Sequence, residues 1–227
     1  MKIQQGLVLA VALSAMAFGS CAALRSAYPQ AIRACRGNTV VWTDGHTTVY
    51  DDGRHKSFAE ALSHPDLEDM FRQAYPQGRR TYGKTPAKNF DPGRIRFEPL
   101  FRAVYGHSAS QVRRNLTTVN WFGQRISVTR INGVAEHLRA VARDIQRAVA
   151  RTPSLRKYLT PVGGTFTWRT IAGTRRLSVH SFGAAIDIRV KYSAYWRWNK
   201  GAYRYHNAIP FAIVQAFERH GFIWGGK

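Results

Sequence analysis

Residues 178–187 read SVHSFGAAID, and this stretch combines a tight turn with the start of a buried strand. Gly183 lets the backbone fold back sharply, so that His180 before it and Asp187 after it can approach each other. Asp187 lies in a predicted strand from Ala185 to Val190, between two isoleucines that indicate partial burial. A carboxylate in such a position needs a compensating partner. The spacing alone leaves three partners open: a metal ion, an arginine, or the histidine through a hydrogen bond.

Periodicity and turn signals in the rest of the chain predict an α+β protein. The clearest helix runs from about Gly133 to Arg151, where apolar residues recur at three- and four-residue steps. The arginines at four-residue steps on this helix are interpreted as a solvated face and, alternatively, as an anion-binding ridge. The other predicted elements are a hairpin of Thr39–Trp42 and Thr47–Tyr50, a helix from Ser57 to about Ala74 interrupted near Pro65, a short helix over Pro99–Gly106, strands Thr117–Phe122 and Gln124–Ile131, a strand introduced by residues 163–169, and a helix over Pro210–His220. We expect a small antiparallel sheet that carries the candidate metal site, with helices packed around it and an N-terminal extension of mixed α and β structure.

The N-terminus has the pattern of a secretory signal. A lysine follows Met1, the run Leu7–Phe18 is apolar and uncharged, and small residues continue to Ala23. The apolar run is shorter than the roughly 20 residues that span a bilayer. We therefore expect residues 1–23 to be a signal peptide, the mature chain to have no transmembrane segment, and its location to be the periplasm or cell envelope. A buried N-terminal helix is the alternative interpretation.

The two cysteines, Cys21 and Cys35, bear on how the chain is processed. Cys21 falls at the predicted cleavage site, so the mature chain would keep Cys35 alone. If residues 18–21 are a lipoprotein site, Cys21 would remain as a lipid anchor. Both interpretations predict that there is no disulfide framework, and a Cys21–Cys35 bridge can form only if cleavage occurs before Cys21 without lipidation.

The charge balance predicts an anionic partner. Lys and Arg number 34 against 13 Asp and Glu, which gives a formal net charge of +21. Charge alone is equally consistent with nucleic acid and with anionic envelope polymers. Because the export signal removes access to nucleic acid, we expect envelope polymers and no nucleic acid. Aromatic residues between Tyr192 and Tyr205 alternate with basic ones, which is typical either of sugar contact or of a packed loop.

The pattern Ser178-x-His180-x-x-Gly183-x-Ala185-x-Asp187 resembles the signature of the VanY-like zinc D-alanyl-D-alanine carboxypeptidases. That family also includes D-Ala-D-Ala dipeptidases and L,D-endopeptidases. The segments FTWRTIAGT (166–174) and HGFIWGGK (220–227) are similar to its endopeptidase-like branch. The resemblance covers roughly residues 160–227 and implies Zn²⁺ as cofactor and peptidoglycan stem peptides as substrate. It suggests a peptidase domain over 111–227, preceded by a module of unknown role over 24–110.

The resemblance also implies roles for individual residues. His180 and Asp187 match the first two zinc ligands, and Ser178 matches the serine that helps to hold the substrate. Arg169 lies where the family places an arginine that binds the substrate or the developing oxyanion. A salt bridge to Asp187 or a plain surface charge are the alternatives for Arg169, and two nearby arginines, Arg175 and Arg176, compete for the role.

One departure from the family pattern limits these expectations. The family takes its acidic general base and its third ligand, a histidine, from a stretch shortly after the Trp-Gly-Gly turn, and the sequence has neither group there. We expect a C-terminally truncated peptidase or, as the alternative, a non-catalytic exported protein that binds the cell wall. The C-terminal His220 is interpreted as a helix-capping residue and His206 as a surface or packing residue rather than as substitute ligands.

Overall fold

The structure is a computed structural model that describes residues 2–5, 20–194 and 204–225. It confirms the predicted α+β class. The strands are β1 Lys2–Gln5, β2 Ile32–Arg36, β3 Thr39–Trp42, β4 Thr47–Val49, β5 Leu116–Trp121, β6 Gln124–Thr129, β7 Val162–Gly164, β8 Ala185–Ile188 and β9 Phe222–Trp224. The α-helices are α1 Cys21–Ala27, α2 Phe58–Ser63, α3 Glu98–Tyr105, α4 Ala109–Arg114, α5 Val134–Arg151 and α6 Phe211–Arg219.

The chain divides into two compact units. The larger unit consists of Met1–Gly6, Pro76–Lys88 and Tyr105–Lys227, and the smaller unit consists of Leu7–Tyr75 and Asn89–Val104. No helix in the described residues has both the length and the apolar character needed to span a membrane.

The smaller unit contains a three-stranded antiparallel sheet in the order β2-β3-β4. The predicted hairpin forms its β3 and β4 strands. The predicted helix at Ser57 begins with the expected capping box, in which the Ser57 and Glu60 side chains accept from each other's backbone N–H groups. It ends at Ser63 rather than near Ala74, because Pro65 disfavours helical backbone in the residue before it.

A disulfide joins Cys21, the first residue of α1, to Cys35 in β2. This finding corrects the expectation that the cysteines stay unpaired. The helix begins with a Ser20 side chain that accepts from the backbone N–H of Ala23, and Cys21 itself is buried. The bridge therefore ties the start of this helix to the sheet of the smaller unit.

The larger unit is built on a four-stranded antiparallel sheet in the order β7-β8-β1-β9 and on the β5–β6 hairpin. Helix α5 packs on this hairpin and on α6. Its apolar stripe is buried as the periodicity predicts, and the stripe consists of Val134, Leu138, Val141, Ile145 and Val149. Trp121 is buried beside Phe217 and donates its indole N–H to the carbonyl of Leu159, which closes the core between these elements.

Two predicted strand boundaries near the candidate site need correction. The strand that carries Asp187 ends at Ile188 instead of Val190, because Arg189 has a φ of +24° and Val190 begins a 3₁₀ turn. Val190 is thus 48 % exposed and leaves the face shared by the two isoleucines. The strand before the site is Val162–Gly164 only, and the aromatic stretch between Tyr195 and Tyr203 lies outside the described residues.

Candidate metal site

His180 is held in one orientation by its backbone and by one ring nitrogen. It lies in the 3₁₀ turn Val179–Phe182, and its backbone N–H donates to the hydroxyl of Ser178 at the start of that turn. Its Nδ1 is 2.6 Å from the carbonyl oxygen of Thr165. Because a carbonyl only accepts, Nδ1 carries a proton, and in the neutral form of the ring the lone pair is on Nε2.

Asp187 faces that lone pair. Its Oδ2 lies 3.2 Å from Nε2 of His180, and the two side chains are 18 % and 4 % exposed respectively. The two groups are not hydrogen-bonded to each other: Nε2 of His180 and Oδ1 of Asp187 are both buried without a partner among the described residues. Apart from an ion pair, which requires a protonated His180, the described residues supply no partner for these two atoms.

The local sequence explains why the two side chains converge. Gly183 has a φ of +65° and its carbonyl accepts from the backbone N–H of Thr129. A Cβ at this position would lie 2.7 Å from Cδ2 of Leu116 and 3.0 Å from the nitrogen of Thr129. The reversal between His180 and Asp187 thus requires glycine both for its backbone conformation and for its close packing, as the sequence indicates.

Strand β7 completes the frame from the other side. Gly164 is paired with Asp187 in the β7–β8 ladder. A Cβ on its neighbour Gly163 would lie 2.4 Å from Cγ2 of Val190 and 3.5 Å from Cβ of Asp187. Residues Val162 to Thr165 therefore position both His180 and Asp187. Val162 and Gly164 pair with the strand of Asp187, and the carbonyl of Thr165 accepts a hydrogen bond from His180.

This arrangement fits two ligands of a metal ion. An imidazole nitrogen and a carboxylate oxygen are ordinary zinc ligands, and buried polar atoms without partners call for an explanation such as an ion. Among the described residues, no third histidine, cysteine or carboxylate joins the pair in a ligand cluster. The remaining residues of the chain contain none of these ligand types. The structure thus brings together the two predicted ligands and adds no third.

Ser178 and Arg169 are close to the pair along the backbone. Ser178 is buried and donates its backbone N–H to the carbonyl of Arg169. The hydroxyl of Ser181, which is fully buried, accepts from the N–H of Arg169 and lies 2.9 Å from its carbonyl oxygen. The Arg169 side chain itself is exposed, and no ion pair with Asp187 forms. Sequence reasoning missed Ser181 and Thr165, whose contacts join segments more than ten residues apart.

The other histidines predicted to be non-ligands have separate environments. His220 follows the last residue of α6, and its Nε2 is 3.1 Å from Oδ2 of Asp144. His206 is exposed. Asp144 also pairs with Arg147, so His220 is engaged in a charged group on the α5–α6 side of the larger unit.

The smaller unit has a second acidic cluster, and its cation is a lysine. The carboxylates of Asp51, Asp52, Asp66, Glu68 and Asp69 include two groups close enough to hold a metal ion. However, Nζ of Lys56 lies 2.8 Å from Asp52, 2.9 Å from Asp66 and 2.7 Å from Asp69, and its side chain is 1 % exposed. Burial alone would lower the pKa of Lys56, but the hydrogen bonds from these carboxylates outweigh it and raise the pKa. The ammonium group occupies the place of a cation among three of these carboxylates and compensates part of their charge, so we assign no metal to the cluster.

One comparison with known proteins gives a match, and it covers only the last part of the chain. Residues 172–227 match a family model described as D-alanyl-D-alanine carboxypeptidase. The matched segment includes Ser178, His180 and Asp187 and begins after Arg169. No curated protein and no solved structure gives a significant match to the chain. The chain is therefore similar to a peptidase family over its last part, in the region that contains the unpaired His–Asp pair.

Proposed function

We propose that this chain binds zinc through His180 and Asp187 and acts on peptidoglycan stem peptides as a zinc peptidase. The observation that carries the proposal is the pair of unpartnered lone-pair atoms, which lies inside the segment similar to D-alanyl-D-alanine carboxypeptidases. The bond cut would be the terminal D-Ala-D-Ala bond or an internal L,D bond.

The chain's own residues would prepare the site in specific ways. Thr165 fixes the imidazole tautomer of His180 and so keeps Nε2 available as a ligand. A zinc ion held by the pair would supply a Lewis acid that polarises the scissile carbonyl and acidifies water. The exposed guanidinium of Arg169 would stabilise negative charge that develops on the carbonyl oxygen, and donors of this kind contribute roughly 3 kcal/mol. The Ser178 hydroxyl accepts from the backbone of His180 and would use its own hydrogen to hold the substrate.

A non-catalytic role in binding the cell wall is the second candidate. The observation that favours it is that the described residues contain no third ligand and no carboxylate base beside the pair. Catalytic zinc sites in proteins generally use three protein ligands, so we expect zinc to bind weakly to this chain and turnover to be low. A longer form of the protein that supplied a third ligand and a base would have the full set of groups that the peptidase reaction requires.

We also propose that the chain is exported. The apolar N-terminal run supports this proposal, and so does the Cys21–Cys35 disulfide, because disulfides persist in oxidising compartments. A sulfur in a disulfide cannot carry a lipid, so export would proceed without an anchor at Cys21 and with cleavage before it. Such cleavage would remove Lys2–Gln5, so the mature exported chain would lack the strand that lies between β8 and β9 in the structure of the full chain. Mass spectrometry of the intact exported chain would give its N-terminus and the state of Cys21.

The experiment that tests the enzymatic proposal uses the full chain and a stem pentapeptide ending in D-Ala-D-Ala. Zinc binding is measured by titration calorimetry, and cleavage is followed by chromatography with and without a chelator. Cleavage that requires zinc and is lost in Asp187→Asn would support the peptidase. Zinc binding without cleavage would favour the wall-binding role, and absence of zinc binding would overturn the proposed metal site. The matched control is Asp144→Asn, which removes a carboxylate that is paired with other side chains.

A further inference from the structure

A cationic cavity lies beside the candidate metal site in the larger unit. It has a volume of about 490 Å³, and its walls come from α4, from the β5–β6 hairpin and from the segment that begins with β7. Two arginines, Arg113 and Arg125, are the charged residues of the lining, and no aspartate or glutamate takes part in it. Both arginines are exposed, and neither forms an ion pair within the described part of the chain. The cavity thus presents positive charge without an internal counter-ion.

The two arginines stand against a partly apolar wall. The guanidinium of Arg113 lies over the ring of Phe166, with its carbon 5.6 Å from the ring centre. This distance is that of a cation–π contact, which favours the guanidinium at this position while its N–H groups can still bind a ligand. Leu116 and Ile126 add aliphatic surface nearby. A ligand that fits these walls combines a carboxylate with a short aliphatic part, because the guanidinium matches a carboxylate in a bidentate way.

The cavity is lined in part by residues that also position the His180–Asp187 pair. Thr165, whose carbonyl accepts from His180, and Gly164, which pairs with Asp187, both line it. Neighbouring strands in a sheet are about 5 Å apart and an extended peptide rises about 3.3 Å per residue. Because Gly164 and Thr165 adjoin both features, an extended peptide held at the pair could place another of its groups in the cavity.

We propose that Arg113 and Arg125 form a subsite for a carboxylate carried by the substrate peptide, away from the bond that is cut. This inference rests on the proposed function, because it takes the His180–Asp187 pair as the reacting end of the peptide. It adds the prediction that the substrate is recognised by an anionic group as well as by its scissile bond. Gln124 supports the subsite by accepting from the backbone N–H of Val162, which fixes the hairpin against β7.

The test measures peptide binding in the absence of zinc, so that it does not depend on turnover. The full chain, treated with a chelator, is titrated calorimetrically with a stem pentapeptide whose carboxylates are free and with versions in which one carboxylate at a time is amidated. The variants are Arg113→Gln and Arg125→Gln. Arg114→Gln is the matched control, because Arg114 is an exposed neighbour on the same helix that does not line the cavity.

The expected result is a loss of affinity of about tenfold in each of the first two variants, which corresponds to one charge-assisted hydrogen bond. The peptide whose recognised carboxylate is amidated should bind to the wild type about tenfold more weakly than the free peptide. Its affinity should not change further in Arg113→Gln or Arg125→Gln. Arg114→Gln should stay within about twofold of the wild type. Arg125→Lys, which keeps the charge but not the planar fork, guards against a folding defect and should lose less affinity than Arg125→Gln.

Several results would overturn the subsite. Equal losses of peptide affinity in all three glutamine variants would mean that only the net charge of the protein matters. Equal losses of affinity for every amidated peptide would mean that the cavity recognises no particular carboxylate. Binding of a polyphosphate with no preference among the peptides would assign the cavity to a wall polymer instead. Failure of the two proposals can be told apart: carboxylate-specific binding without cleavage would contradict the peptidase alone, whereas zinc-dependent cleavage unaffected by Arg113→Gln and Arg125→Gln would contradict the subsite alone.

Discussion

Nε2 of His180 and Oδ2 of Asp187 lie 3.2 Å apart with no hydrogen bond between them. The proton of the imidazole is on the other nitrogen, where the carbonyl of Thr165 accepts it. With a neutral imidazole the pair brings two electron-rich atoms together, an arrangement that a bound cation, either a metal ion or a proton, would stabilise. This arrangement has a consequence for stability that can be measured without any enzymatic assay.

Asp187→Asn should stabilise the metal-free protein while it weakens zinc binding. An asparagine amide can donate to Nε2 of His180 and removes a buried charge, so the free energy of unfolding in a chelator should rise by about 1 kcal/mol. The same change removes an anionic ligand, so zinc affinity should fall at least about tenfold. Urea unfolding with chelator and zinc titration of the folded protein measure the two effects.

The matched substitution Asp144→Asn should have the opposite effect on stability. Asp144 is close to three cationic or hydrogen-bonding groups, those of His220, Arg147 and Arg219. Loss of its charge should lower the free energy of unfolding by about 1 kcal/mol and leave zinc binding unchanged. If Asp187→Asn destabilises the metal-free protein as well, the two atoms are not both acceptors.

Gly183→Ala should be much more harmful than an alanine at another glycine with the same backbone conformation. Gly183 and Gly173 have φ values of +65° and +72°, but a Cβ on Gly173 meets nothing within 4 Å. Left-handed backbone costs an alanine about 1–2 kcal/mol, which is the expected loss for Gly173→Ala. Overpacking against Leu116 and Thr129 should add about 1–3 kcal/mol for Gly183→Ala.

Chemical denaturation of the two variants checks this difference, and zinc titration checks its effect on the site. Gly183→Ala should also reduce zinc affinity, since the clash pushes apart the turn that carries His180 and the strand that carries Asp187. Equal stability losses in both variants would show that the close packing at Gly183 is not important.

The parts of the fold that depend on local pattern could be predicted from the sequence. Helix α5 follows from the spacing of its apolar residues, the start of α2 follows from the capping box of Ser57 and Glu60, and the turn of the candidate site follows from Gly183. In each case neighbours in sequence decide the conformation, because hydrogen bonds and burial repeat over a few residues.

The parts that depend on distant contacts could not be predicted. Strand β1, Lys2–Gln5, is polar and short, and its place between β8 and β9 has no local signal. The acceptor for His180 is Thr165, fifteen residues earlier in the chain. The sequence argues against the Cys21–Cys35 bridge, because Cys21 coincides with the predicted cleavage site, but the structure contains it. Such contacts are set by tertiary packing, which a single sequence does not reveal.

Removal of the disulfide should destabilise the smaller unit. Cys21 and Cys35 are 14 residues apart in sequence, and closing a loop of this length contributes about 3 kcal/mol in the chain-entropy account. The double variant Cys21→Ala/Cys35→Ala should lose roughly that much in urea unfolding. A thiol reductant should lower the unfolding temperature of the wild type and leave that of the double variant unchanged. A wild type that is insensitive to reductant would contradict the bridge.

Lys56→Met should strongly destabilise the smaller unit. Its ammonium contacts the carboxylates of Asp52, Asp66 and Asp69, and its side chain is almost completely buried. Loss of one partner of a buried ionic group leaves uncompensated charge and costs about 3–5 kcal/mol. Urea unfolding at pH 7 should show this loss, whereas Arg33→Met, at an exposed position of the same unit, should unfold like the wild type.

The pH dependence of that loss has a definite sign. Burial alone would raise the pKa values of Asp66 and Asp69, but hydrogen bonds from backbone N–H groups and from Lys56 outweigh it, so both pKa values fall below their ordinary 3.8. A carboxyl whose pKa is lowered by folding contributes stability above its ordinary pKa, and this contribution is lost as the pH falls through the lowered value. In the wild type, the stability that these two groups contribute should therefore be kept down to about pH 4.5 and lost only in stronger acid.

In Lys56→Met the same carboxylates repel one another, which raises their pKa values. Acid then relieves the repulsion, so the gap between variant and wild type should narrow between pH 7 and pH 4.5. A gap that stays constant over this range would mean that Lys56 stabilises the unit through packing rather than charge.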